Sequence, residues 1–313
     1  MSGPVPGSRV AALLLVPTLA VSSCDHPGLD RDQIDMLFEL DPRSAPTRPT
    51  TAAELALGSR LFETGFGERS CSQCHTRSGH GQDGRTHERN TPALADVSRQ
   101  LVLGWDGHGS DLRATVATEL ARRTGIATDA DATRWVAGDI GLQAAFDNVH
   151  PGAPATRDRL IDALVVHLDH WRTRGRWDDF VEGDDAALSA AERAGLATFV
   201  EVGCAACHAG RTLGGRSRHK LGAALPYETD DTGLAAVTGE PSDRYFFKAP
   251  MLRLAAATGP YLHDGSVDRL DAAVRLMARH ELGHEIADPD VTAIVTFLRA
   301  TADVDPAAAR PPR

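Results

Sequence analysis

Two short strings decide the reading of this chain, Cys71-Ser-Gln-Cys74-His75 and Cys204-Ala-Ala-Cys207-His208. In each, two thiols stand one helical turn apart and a histidine follows the second thiol directly. That arrangement lets both thiols add to the vinyl groups of a haem while the imidazole reaches the iron from the same side. Structural zinc held by four thiolates is the main rival. It requires the two cysteine pairs to converge, and it leaves both histidines unexplained. Disulfides are the other rival, but a two-residue gap suits a redox pair better than a structural bridge. The expectation is two covalently attached haem c groups, at Cys71, Cys74 and His75 and at Cys204, Cys207 and His208.

The residues around the two strings repeat as well. Thr51-Ala-Ala-Glu54 has capping-box spacing and is followed by Leu55, Leu61 and Phe62. Ser189-Ala-Ala-Glu192 has the same spacing and is followed by Leu196, Phe199 and Val200. Aligning Thr51 with Ser189 also aligns Glu63 with Glu201, and a cysteine string follows each copy after a short loop. This is a duplication of one unit, which predicts two haem domains, 51–182 and 183–313, with a boundary near Gly183. Each half ends in an amphipathic helix. Leu160, Leu164, Val165 and Leu168 mark the first, and Val291, Ile294, Val295 and Leu298 the second, after Pro289. No run of alternating strands competes, so the fold class is mainly α: two c-type cytochrome domains.

The chain has 313 residues, enough for two ordinary domains, and its 42% hydrophobic content excludes general disorder. The net charge of -10, with Lys220 and Lys248 the only lysines, argues against a nucleic-acid partner. A basic protein partner fits better, the charge acting mainly on its association rate. At the N-terminus, Arg9 precedes an apolar run from Val10 to Ala20, too short to span a bilayer as a mature helix. The run ends in Val21-Ser-Ser-Cys24, which resembles a bacterial lipobox. That predicts a lipoprotein signal peptide over 1–23, lipidation of Cys24, and a periplasmic protein anchored to a bacterial membrane; an ordinary signal peptide with an incidental cysteine is the alternative. Residues 24–50, with Pro42, Pro46 and Pro49, read as a flexible tether.

A c-type haem needs a sixth ligand or an open position. Beyond Met1 the chain offers Met36 in the tether, Met251 and Met277. Met277 lies in a helix-like stretch with Leu270 and Val274 on its face, where a core methionine is the alternative reading.

Beyond the cysteine strings, the first half contains Asn90-Thr-Pro-Ala-Leu94 and Trp105-Asp-Gly107. The second contains Lys248-Ala-Pro-Met-Leu-Arg253, Thr258-Gly-Pro-Tyr-Leu-His-Asp-Gly265 and Val274-Arg-Leu-Met277. With these motifs the sequence resembles the bacterial di-haem cytochrome c peroxidase family from about Ala52 to the final helix. The resemblance implies reduction of hydrogen peroxide to water with electrons from a small donor protein, such as a monohaem cytochrome c or a cupredoxin. It implies that the C-terminal haem, ligated by His208 and Met277, takes in electrons, and that peroxide reacts at the haem held by His75. It implies a histidine capping that iron at rest, His87 or His80, of which His87 is nearer Asn90. Trp105 matches a tryptophan between the haems and is the expected electron relay. One calcium ion is implied between the domains, held by the Asn90 side chain and the Thr258 and Pro260 carbonyls, an oxygen set that suits a hard cation.

The family's Trp-Asp-Gly-Arg-Ala string reads Trp105-Asp-Gly-His108-Gly109 here, and the first haem loop is contracted. The Gly-Pro-rich stretch with the glutamate that assists proton transfer is missing. Glu119 is the nearest glutamate and the candidate catalytic group. The alternatives are a di-haem periplasmic electron-transfer cytochrome without peroxidase activity, a haem-based sensor, and an enzyme resembling those that oxidise residues on a partner protein. The last class uses a tyrosine where Met277 stands. A homodimer is an assembly open to any of them.

Overall fold

The computed structural model describes residues 28–39, 48–66, 69–75 and 89–304. Its α-helices are α1 (Arg31–Phe38), α2 (Ala52–Glu63), α3 (Cys71–Cys74), α4 (Leu112–Glu119), α5 (Asp129–Ala137), α6 (Ile140–Val149), α7 (Arg157–His170), α8 (Arg176–Val181), α9 (Ala190–Val202), α10 (Ala235–Thr238), α11 (Leu270–Met277) and α12 (Asp288–Thr301). The one small sheet among the described residues pairs β1 (Arg218–Lys220) antiparallel with β2 (Phe246–Lys248). No helix among the described residues is long and apolar enough to cross a membrane.

Both expected capping boxes form. Thr51 accepts from the Glu54 amide at 3.2 Å while Glu54 accepts from the Thr51 amide at 2.8 Å. Ser189 and Glu192 do the same at 3.3 and 2.7 Å. Each capped helix then packs on a long helix through a glycine. A Cβ on Gly58 of α2 would lie 2.4 Å from the Ala163 carbonyl oxygen of α7, and one on Gly195 of α9 would lie 2.1 Å from the Ala293 carbonyl oxygen of α12. One turn on, Phe62 meets His167 and Phe199 meets Phe297. The contacts therefore pair Gly58 with Gly195 and Phe62 with Phe199. This is one residue out of the register set by Thr51 and Ser189, because packing rather than capping fixes the helix face.

Two apolar clusters result. The first gathers Leu57, Phe62, Trp135, Phe146, Leu164 and Trp171 from α2 and α5–α7. The second gathers Phe38, Trp177, Phe180, Phe199 and Phe297 from α1, α8, α9 and α12, with Leu213 from the loop after the second cysteine string. Two sequence expectations are corrected here. Residues 24–50 are not tether throughout: α1 is capped by Asp30, and buries Ile34 and Phe38 in the second cluster. The Arg31 guanidinium ties it to the Phe180 carbonyl at 2.8 Å. The boundary near Gly183 also shifts, since Trp177, Phe180 and Val181 of α8 belong to the second cluster although they precede it.

A second repetition lies between the cysteine strings and the long helices. Residues 90–125 and 248–283 share a series of backbone landmarks at a constant spacing of 158 positions, from Pro92 and Pro250 to Gly125 and Gly283, although they diverge at Gln100 and Thr258. Asp96 and Leu254 both adopt left-handed φ, 60° and 69°. Each is followed by a one-turn 3₁₀ segment, Val97–Arg99 and Ala255–Ala257. Asp106-Gly107 matches Asp264-Gly265, with φ of 68° at both glycines. Helices α4 and α11 have eight residues each, and each runs into a five-residue π-helical segment ending at a left-handed glycine.

The two frames meet across a pair of equivalent backbone hydrogen bonds. Asn90 N donates to the His263 carbonyl at 2.7 Å, and its mate Lys248 N donates to the Trp105 carbonyl at 2.9 Å. Deeper in the same interface Arg253, fully buried, joins both halves. It donates to both carboxylate oxygens of Asp178 and to Thr173 Oγ1, and lies 3.4 Å from Asp96, which Arg99 also approaches at 3.1 Å.

Candidate functional site

In the first unit, α3 is the cysteine string itself, and Phe66 and Arg69 bridge across the loop before it. Cys71 packs at the edge of the first apolar cluster, and His75 Nδ1 lies 3.0 Å from the Pro92 carbonyl. In the second unit, Cys204–Ala206 is a 3₁₀ turn, and His208 Nδ1 lies 3.1 Å from the Pro250 carbonyl and 3.2 Å from that of Leu213. A carbonyl acceptor fixes the protonated nitrogen as Nδ1 and presents Nε2 to a metal, the usual outer-shell arrangement for a ligating histidine. Pro92 and Pro250 are the same position of the repeated frame, so both rings are tied to one equivalent point.

Glycine makes the second tie feasible. Gly214 has φ 122°, and a Cβ there would lie 2.2 Å from the Pro250 carbonyl oxygen and 3.0 Å from His208 Nδ1. Burial pushes His208 down to about 4, the two carbonyls opposing it, so the imidazole is neutral and able to ligate. Burial also pushes the Cys71 and Cys204 thiols up to about 11. As free groups these two thiols are therefore held protonated. Among the described residues no group of His, Cys, Asp and Glu is arranged to hold a metal ion on its own.

The other candidates separate clearly. Met277 is the last residue of α11 and is half-buried, whereas Met36 on α1 is 66% exposed. Trp105 is half-buried between the halves, its Nε1 donating to the Asn90 carbonyl at 2.7 Å. The Asn90 side chain points at the Pro260 carbonyl, 2.7 Å away, and at that of Leu262, 3.3 Å away, with Thr258 two residues upstream. Glu119 ends α4 with its carboxylate near Arg122 and Arg123, at 3.2 and 3.3 Å. His80, His87 and Cys24 lie outside the described residues.

Sequence reasoning missed the charged cluster beside Trp105. Arg89 binds Asp231 through both its Nε and Nη2, at 2.6 and 2.9 Å, and also donates to Asp106. His108 pairs with that same Asp106. Burial pushes Asp106 up, but the His108 and Arg89 hydrogen bonds outweigh it and hold the carboxyl below its ordinary range. Position 108, an arginine in the family's string, is a histidine here, and Asp106 takes its guanidinium partner from Arg89. Lys248 is buried beside this cluster, donating to Gln100 Oε1 at 2.9 Å, and burial lowers it to about 8 against the pull of Asp106. The missed signal was the 158-residue spacing, legible in Pro92-Ala-Leu94 with Pro250-Met-Leu252 and in the two Asp-Gly pairs.

Two copies of a helical unit, each with a Cys-x-x-Cys-His string and a histidine oriented by a carbonyl, define the class of tandem c-type cytochromes. A family model described as di-haem cytochrome c peroxidase matches residues 52–186. The chain is 34% identical to the cytochrome c551 peroxidase of Nitrosomonas europaea, over 83% of each chain. It is 31% identical to the cytochrome c551 peroxidase of Pseudomonas aeruginosa, over 88% of this chain and 87% of that one. The chain belongs to the di-haem cytochrome c peroxidase family, and membership implies two haem c groups. Among solved structures the same fold is seen in a MauG-like protein associated with microbial copper homeostasis. Its TM-score is 0.68 at 24% identity, over 82% of this chain and 91% of that one. The diheme peroxidase BthA from Burkholderia thailandensis E264 also shares it, with a TM-score of 0.65 at 20% identity over 88% and 93%.

Proposed function

We propose that this chain reduces hydrogen peroxide to water with electrons from a small donor protein such as a monohaem cytochrome c or a cupredoxin. The observation that carries the reading is the repeated tie of His75 to Pro92 and of His208 to Pro250, at 3.0 and 3.1 Å. It gives two equivalent seats for iron, one for each haem that the family carries. Cys71 and Cys74 attach the first haem and Cys204 and Cys207 the second. His75 and His208 are their proximal ligands.

Met277, at the end of α11, is the sixth ligand of the second haem. A thioether raises the reduction potential, which suits the centre that receives electrons. Trp105 carries them across the interface, its indole held by Asn90 and its carbonyl by Lys248. The haem that His75 would hold is where peroxide would react. Breaking the O–O bond consumes two electrons and two protons, and Glu119 is the proton-transferring group. Asn90, Thr258 and Pro260 hold a calcium ion between the halves. The Asn90 amide needs only a half-turn to bring its oxygen toward the ion, since its N and O are interchangeable in shape. The protein works in the periplasm, with Cys24 as its lipid anchor.

The test is single-turnover mixing of peroxide with protein in which only the second haem has been reduced. Oxidation of that haem at a rate that rises with peroxide is expected. A reduced second haem that survives peroxide would leave the chain as an electron carrier.

A further inference from the structure

The repeated frame places Glu119 and Met277 at one and the same position. Both are the last residue of an eight-residue α-helix, Leu112–Glu119 and Leu270–Met277. Both precede a five-residue π-helical segment, Leu120–Thr124 and Ala278–Leu282, which closes at a left-handed glycine, Gly125 with φ 81° and Gly283 with φ 77°. Such π segments concentrate at functional sites because they re-aim the side chains beside them. The frames agree upstream too, through Pro92 and Pro250, the positive φ of Asp96 and Leu254, and the two Asp-Gly turns.

The proximal side agrees independently. His75 and His208 are both tethered through Nδ1 to the proline carbonyl of this frame. With each ring tied to an equivalent point, its Nε2 faces an equivalent direction. The helix end that stands opposite His208 in one copy then stands opposite His75 in the other. Glutamate and methionine have unbranched side chains of nearly equal reach, so the position can deliver a carboxylate where its mate delivers a thioether.

We infer that Glu119 fills, in the first domain, the sixth-ligand seat that Met277 fills in the second. This rests on the reading of Met277 as a ligand given above. A thioether held in place by the fold closes the site on haem iron. A carboxylate that is also held by Arg122 and Arg123 leaves the seat exchangeable. One residue difference at one position of a duplicated frame thus assigns the closed centre to the second domain and the open centre to the first. The seat is filled from α4, so neither His80 nor His87 is needed to occupy it.

The experiment is Glu119→Met in the full holoprotein, read by the far-red sulfur-to-iron charge-transfer band of the oxidised form. The substitution lies on a half-exposed helix end and suits a helix, so the protein folds. Haem content should be unchanged, the band per chain should double, and the potential of the first haem should rise toward that of the second. A band equal to wild type, with both haems attached, overturns the inference. Glu119→Gln is the second variant: it should shift the spin-state balance of the first haem without adding a band, and a spectrum identical to wild type counts against the seat. If the wild-type protein shows no such band, the ligand role of Met277 is what fails. The appearance of one band in Glu119→Met then still supports the seat, and no band overturns it.

Discussion

Replacing His167 by phenylalanine should stabilise the protein and remove part of its acid sensitivity. His167 sits on α7 with no exposure to solvent, and neither ring nitrogen has a hydrogen-bond partner. Its ring lies 5.4 Å from Phe62 and 6.0 Å from Trp171. In the second domain the same place, facing the contact glycine, is taken by Phe297, so the helix pair accommodates a phenyl ring. Two buried polar atoms without partners cost about 1–3 kcal/mol, which the substitution should return near pH 7.5. Burial, with a smaller push from His170, lowers the imidazole from 6.5 to about 4. Above about pH 6.5 the ring is neutral in both folded and unfolded chains, and contributes no pH dependence. As pH falls from 6.5 toward 4 the unfolded chain takes up a proton that the folded one refuses, so stability is lost, by about 3 kcal/mol over the whole window. Near pH 5 the wild type should therefore have lost about 2 kcal/mol more than His167→Phe. Urea unfolding of the holoprotein at pH 7.5 and pH 5 measures this, and taking the difference between the two proteins cancels the other titrating groups. Parallel losses in both proteins would refute the reasoning.

Arg253→Met should destabilise by about 3–5 kcal/mol in the same assay, because it leaves the buried Asp178 carboxylate without its main cation. Gly195→Ala should lower stability by at least about 1–3 kcal/mol, since its Cβ meets the Ala293 carbonyl oxygen of α12 at 2.1 Å and two helices must part. Trp105→Phe removes the indole donor to Asn90 and should slow electron transfer between the haems in flash-reduction kinetics, with haem content unchanged.

Much of this molecule is legible in the sequence wherever the determinant is local. The cysteine strings carry their chemistry in five residues, and the two capping boxes start α2 and α9 at the positions their spacing predicts. The apolar stripe of α12 is likewise a property of one segment, and Val291, Ile294, Val295 and Leu298 are all buried. Features that depend on distant partners are another matter. The prolines at 42, 46 and 49 suggest a tether, yet Asp30 and the four-residue spacing of Ile34 and Phe38 make a helix whose burial needs Trp177. Arg253 reads as an ordinary charged residue until Asp178 and Asp96, far upstream, close around it. The equivalence of Glu119 and Met277 lies between these cases. Its markers are in the sequence, but only the matching φ values and π segments turn them into one frame.

The central claim is peroxide reduction driven by a protein electron donor. The most direct measurement is steady-state oxidation of a reduced monohaem cytochrome c by hydrogen peroxide in the presence of the purified holoprotein. The account predicts two donor molecules oxidised per peroxide, at a rate far above that of an equal amount of free haem. Oxidation no faster than free haem, with both haems attached and the second reducible by the donor, would contradict it.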